Sequence, residues 1–97
     1  MTESLKDRLR QLANEDFPRA ARSGGYPVRY NHCFLRIVYD NLFGCKWREA
    51  LPGKTPAIHQ LTDEQLRRAI ALGEEVIADP DLARELNDRS LRWRGKR

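Results

Sequence analysis

Asn31-His-Cys-Phe-Leu-Arg-Ile-Val-Tyr-Asp-Asn-Leu-Phe43 is the stretch on which the fold turns. Eight of its thirteen side chains are apolar or aromatic, in a chain that is otherwise rich in charge. In a helix, Phe34, Ile37, Val38 and Leu42 cover one side, while His32, Arg36 and Asp40 recur every four residues on the other. The alternation Cys33, Leu35, Ile37, Tyr39 also fits a strand. The run is about twice the usual strand length, however, and no second strand-like segment exists to pair with it. The reading is a central helix, capped by Asn31 and closed by Gly44.

Around it the chain supplies amphipathic partners. Ser4 is a candidate cap for a first helix over residues 4 to 15, with Leu5, Leu9 and Leu12 at helical spacing. Pro18 disfavours an undisturbed continuation through Phe17, so residues 20 to 22 add at most a further turn before the Gly24-Gly25-Tyr26-Pro27 loop. Residues 47 to 51 form a short turn, and Pro52-Gly53 and Thr55-Pro56 make the stretch from 45 to 61 irregular. Thr62 followed by Gln65 is a capping-box pattern, with Leu61 and Leu66 placed as a hydrophobic staple. A third main helix therefore starts near Asp63 and stops near Ala78. Leu66, Ile70 and Ile77 form its buried stripe, and Ala69 and Gly73 permit close approach of a neighbour. Asp79-Pro80 repeats the start signal, a cap followed by a proline whose missing N–H costs nothing there. The fourth main helix, residues 80 to 93, carries Leu82, Leu86 and Trp93 on one face, and Gly95 ends it.

The expected fold is thus all-α: one domain, residues 1 to 97, built as a small bundle of four main helices with an irregular connection around residues 45 to 61. A chain of this size holds one modest core and no large enclosed cofactor. No apolar run approaches the roughly 20 residues of a membrane span, and Met1-Thr-Glu-Ser-Leu-Lys6 has no signal-peptide apolar region, so a cytoplasmic location is expected. Cys33 and Cys45 read as thiols there.

Charge is unevenly distributed within the net +4. Residues 61 to 88 carry three Arg against eight Asp and Glu, a balance of −5, and residues 89 to 97 carry five Lys and Arg with no acid, +5. The basic ending, Arg89, Arg92, Arg94, Lys96 and Arg97 around Trp93, offers a nucleic-acid surface on one reading and an internal counterweight to the acidic stretch on the other.

Several residue types invite chemistry. His32, Cys33, Cys45 and His59 are zinc-ligand types, but adjacent residues on a helix point about 100° apart and neither a Cys-x-x-Cys nor a His-x-x-x-His pair occurs, so no metal is expected. Cys45 with His59 offers a nucleophile and base, yet reactive cysteines favour helix N-termini or neighbouring cations, and Cys45 follows a helix C-terminus although Lys46 and Arg48 stand close in sequence. The stripe of His32, Arg36 and Asp40, with Arg29 and Tyr30 upstream, can present a cation, an imidazole and a carboxylate to an anionic ligand or a peptide. Its structural reading is an Arg36–Asp40 ion pair at i, i+4. Asn41 falls on the apolar side and must be hydrogen-bonded. Trp47 and Trp93 read as core anchors.

The segments Arg29-Tyr-Asn-His-Cys-Phe-Leu-Arg-Ile-Val-Tyr-Asp-Asn41, Leu61-Thr-Asp-Glu-Gln-Leu66 and Leu86-Asn-Asp-Arg-Ser-Leu-Arg-Trp93 resemble a group of small uncharacterised bacterial proteins, some carrying an acetyltransferase-related label. The resemblance brings no catalytic residues. The pyrophosphate loop that such a label implies, Arg-x-x-Gly-x-Gly/Ala, is matched by Arg22-Ser-Gly-Gly25-Tyr-Pro27 except at its last position. The function expected from the residues is a non-enzymatic interaction or regulatory module whose partner is another protein, with no cofactor, metal or membrane. The alternatives are a small-ligand or acetyltransferase-related role centred on residues 29 to 40, and nucleic-acid binding through the tail.

Overall fold

Leu9, Leu12, Phe17, Phe34, Ile37 and Leu66 are fully or almost fully withdrawn from water, and the fold is the arrangement that puts them together. The computed structural model describes residues 2 to 51 and 53 to 96; the tail cation Arg97 and the turn residue Pro52 lie outside them. Its elements are α1 (Thr2–Gln11), a π-helical segment (Leu12–Asp16), α2 (Phe17–Ala21), α3 (Asn31–Phe43), α4 (Trp47–Ala50), a 3-10 turn (Ala57–His59), α5 (Asp63–Ala78) and α6 (Pro80–Trp93). No strand occurs among the described residues. The radius of gyration, 12.6 Å, matches the about 13 Å of a folded domain of this length.

α3 is the hub, packed against α5, α6, the π segment and α4, while α1 lies on α5. Phe34, Ile37 and Val38 are fully buried on it, as the apolar pattern requires. Gly44 closes α3 with φ of 71°, a conformation that costs an L side chain and not glycine. At the centre Phe34 stacks on Phe17, ring centroids 4.8 Å apart, and Tyr26 meets Phe17 edge-on at 5.6 Å. Gly73 is the point of closest approach: a Cβ there would lie 3.0 Å from Phe34 Cζ and 3.4 Å from Leu12 Cδ1.

The start of the chain departs from expectation. Helix starts by Thr2, so Ser4 lies inside it, and it continues through Pro18 to Ala21. The π register makes this continuation feasible. The Phe17 N–H bonds to Leu12 O, five residues back, and Pro18 then sits in the first turn of α2, where its missing donor does no harm. Arg8 bridges Asp16 (3.2 Å) and Glu74 (3.0 Å), tying the π segment to α5. The 22 to 30 loop is held where Tyr26 donates to Ile77 O and Arg84 to Gly25 O.

α5 begins with the full capping box, Gln65 N–H to Thr62 Oγ1 and Thr62 N–H to Gln65 Oε1. Its buried stripe is Leu66, Ala69, Gly73 and Val76, with Ile70 and Ile77 only half-buried at its edges. Asp79 Oδ1 caps α6 by accepting from the N–H groups of Asp81 and Leu82. Trp93 is 37% exposed and is not a core anchor, because Ala83, Leu86, Asn87 and Ser90 form the inner face of α6 instead.

Candidate functional site

The i, i+4, i+8 stripe of α3 is divided by the structure. Each step of four residues turns a helix side chain by about 40°, so Asp40 stands about 80° round from His32. Asp40 therefore points inward and is fully buried, whereas His32 is exposed. Arg36 lies between, half-buried.

Asp40 is the acceptor at the centre of a polar network. Its Oδ2 accepts from Ser90 Oγ at 2.6 Å and Arg94 Nε at 2.7 Å, and its Oδ1 from Arg94 Nη2 at 3.0 Å and the Trp47 backbone N–H at 2.9 Å. The expected Arg36–Asp40 pair is not what forms: Arg36 donates Nη1 to Ser90 Oγ and Nη2 to Asn87 Oδ1, each at 2.7 Å. Ser90 thus links the two on the far helix. Burial lowers the Arg36 pKa from its ordinary value, an effect opposed by Cys33 and Asp40 and reinforced by Arg94. Asn41, the other polar residue on this side, donates to Ile37 O at 2.8 Å and Leu86 O at 3.0 Å. No buried side-chain polar atom among the described residues lacks a partner. This assembly holds α6 and α4 onto α3.

In front of that network lies an open groove of about 450 Å³. Leu35 and Tyr39 of α3, Trp47 of α4, and Ala57 and Ile58 of the 3-10 turn give it an apolar floor. Arg10, Arg36, Arg48 and Lys54 bring positive charge from four different segments, joined by His32 and Asn14, and no Asp or Glu lines it. Trp47 meets Tyr39 edge-on at 5.9 Å, and the Arg48 guanidinium lies 4.3 Å from the Trp47 ring centroid. Arg48 also donates to Gly53 O at 2.6 Å, and Arg10 donates to the exposed Asp7 at 3.2 Å. Burial pushes the Tyr39 hydroxyl up to about 12, partly offset by Arg10. The π segment shapes one end, where Asn14 accepts from Asn31 at 2.7 Å.

Two of the five sequence candidates belong to this groove, His32 and Arg36. Arg29 and Tyr30 line a separate hollow with Pro18, Ala21, Arg22 and Gly24, and the Tyr30 ring stacks on His32 at 5.8 Å. Asp40 is behind the groove wall. The residues missed were Tyr39, Trp47, Arg10, Arg48 and Lys54. A signal for part of the wall was present: His32, Leu35, Arg36 and Tyr39 follow i, i+3, i+4, i+7, the spacing of a straight helix face.

Two of the C-terminal cations among the described residues are engaged by carboxylates. Arg94 is spent on Asp40, Arg89 pairs with Glu85 at 2.9 Å, and Arg92 and Lys96 are exposed beside them. Among the described residues no group of three or more His, Cys, Asp or Glu is placed to hold a metal ion, and no helix is long and apolar enough to cross a membrane. Cys33 and Cys45 are both free thiols. Comparison of the chain with protein-family models, curated proteins and solved structures finds no match.

Proposed function

We propose that this protein is a non-enzymatic recognition module and that its working surface is the groove between α1, α3 and the connection from α4 to the 3-10 turn. One observation carries the reading: an apolar, aromatic floor rimmed by Arg10, Arg36, Arg48 and Lys54 with no acidic lining residue. An apolar floor with a few placed polar groups is what recognition sites have in common. The polar groups behind it, Asp40, Ser90, Asn87 and the ends of Arg36, already spend their hydrogen bonds on one another, which suits a rigid wall better than a proton-transferring set. A protein partner is the simplest occupant for an open groove of this kind, and the free thiols are in keeping with a cytoplasmic setting.

Site-specific photo-crosslinking in the native host tests this. A benzophenone side chain at Ile58, on the groove floor, should give a discrete crosslinked species that the same group at Arg92 or Arg67 does not. Crosslinking from Arg92 alone would place the working surface on the tail and overturn the reading.

A further inference from the structure

We infer that the groove receives a short acidic peptide segment of a partner protein, which lays an apolar side chain against Leu35, Trp47 and Ile58 and sets flanking carboxylates against Arg48 and Lys54. This rests on the groove being the recognition surface and adds what it recognises.

Charge complementarity is the first argument. Several arginines of the chain are matched with acids: Arg8 with Asp16 and Glu74, Arg68 with Glu64, Arg84 with Asp81, Arg89 with Glu85 and, at the groove rim, Arg10 with the exposed Asp7. At the groove, Arg48 and Lys54 have no acidic partner among the described residues. Rim cations facing a groove steer an oppositely charged partner and reject a like-charged one.

The layout of the donors is the second. Arg36 commits both terminal nitrogens to Ser90 and Asn87, Arg48 commits one to Gly53 O, and the first N–H of α4 is held by Asp40. A lone phosphate wants a convergent cradle of donors. Here the available positive groups stand apart around an apolar centre, each from a different segment, which matches several carboxylates spaced along a chain.

The aromatic geometry is the third, and it separates a peptide from single-stranded nucleic acid. Base stacking needs an open ring face. Arg48 covers one face of Trp47 and Tyr39 abuts the ring at 70°, while Tyr30 is already stacked on His32. The apolar floor that Trp47 forms with Leu35 and Ile58 suits an aliphatic or aromatic side chain. A volume of about 450 Å³ lies toward the lower end of the roughly 300 to 1,000 Å³ of ligand sites, room for an anchor rather than a whole helix face.

The test titrates the isotopically labelled full chain by NMR with four probes. They are a short peptide with a leucine–phenylalanine pair between runs of glutamate, the same peptide with every glutamate made glutamine, oligothymidylate, and naphthoate as a small aromatic carboxylate. The expected result is saturable shifts at Leu35, Tyr39, Ile58 and the Trp47 indole with the acidic peptide, abolished by the glutamine version. Reversing both exposed cations, Arg48→Glu with Lys54→Glu, should weaken binding by about tenfold or more. Arg67→Glu, an exposed change of the same sign on α5, should leave it unaltered. Groove shifts from oligothymidylate or naphthoate but not from the peptide would overturn the peptide occupant while leaving the groove as the recognition surface. Shifts confined to other residues, or none with any probe, would overturn both.

Discussion

Replacing Asp40 by Asn exchanges one atom and a charge at the side chain that joins α3 to α4 and α6. The carboxylate is fully buried and accepts four hydrogen bonds, two of them from the Arg94 guanidinium. In the variant the amide oxygen can keep the Trp47 N–H and the Arg94 Nη2. The amide nitrogen then faces Arg94 Nε and Ser90 Oγ, where a donor meets donors. A lost charge-assisted bond removes about 1.5 to 3 kcal/mol, and Arg94, whose side chain is 23% exposed, is left largely desolvated without a counter-charge. Breaking a buried pair in this way costs about 3 to 5 kcal/mol, and partial access of Arg94 to water places this case near the lower end, about 3 kcal/mol. Total stability in a domain of this length is about 5 to 15 kcal/mol, so the effect is large. Urea unfolding should show the midpoint falling with the slope unchanged. In a double-mutant cycle with Arg94→Leu, the second substitution should cost far less in the Asn background than in the wild type. A loss below about 0.5 kcal/mol for Asp40→Asn would refute the claim that this carboxylate holds α4 and α6 to α3.

Ile37→Ala removes a fully buried side chain from the hub helix and should lower stability by about 2 to 5 kcal/mol in the same assay. Gly73→Val puts branched methyls where even a Cβ would meet Phe34 at 3.0 Å, so overpacking should cost about 1 to 3 kcal/mol, offset only in small part by the better helix propensity of valine over glycine. Tyr39 gives a pH prediction. Its hydroxyl is raised from 10.0 to about 12 in the folded protein, chiefly by burial, so the fold favours the neutral form, and the contribution is complete below pH 10 and lost as pH rises through 12. Across that window the wild type should lose about 2 to 3 kcal/mol relative to Tyr39→Phe; parallel stability curves for the two proteins would contradict it.

What was legible in the sequence was what local chemistry decides. The capping box at Thr62 and Gln65 and the Asp79-Pro80 start locate α5 and α6, because a cap is completed within three residues of itself. The dense apolar content around Ile37 marks the central helix for the same kind of reason, since burial on several sides leaves few polar places. Asp40 was assigned to a solvent-facing stripe because the residues that bury it, Ser90 and Arg94, are 50 and 54 positions away. The continuation through Pro18 was hidden because nothing local announces the π register that accommodates the proline. Half of the groove was in view on α3, but Arg10, Trp47, Arg48 and Lys54 reach it only through the packing of α1 and the long connection.

The groove is the centre of the account, and Trp47 is a reporter already built into it. In a Trp93→Phe protein, Trp47 is the sole tryptophan, half-buried on the groove floor beneath Arg48. Adding the glutamate-flanked leucine–phenylalanine peptide should produce a saturable change in its fluorescence that weakens steeply with added salt. A flat emission spectrum up to the highest soluble peptide concentration, with the fold intact, would contradict the claim that this groove is where the protein meets its partner.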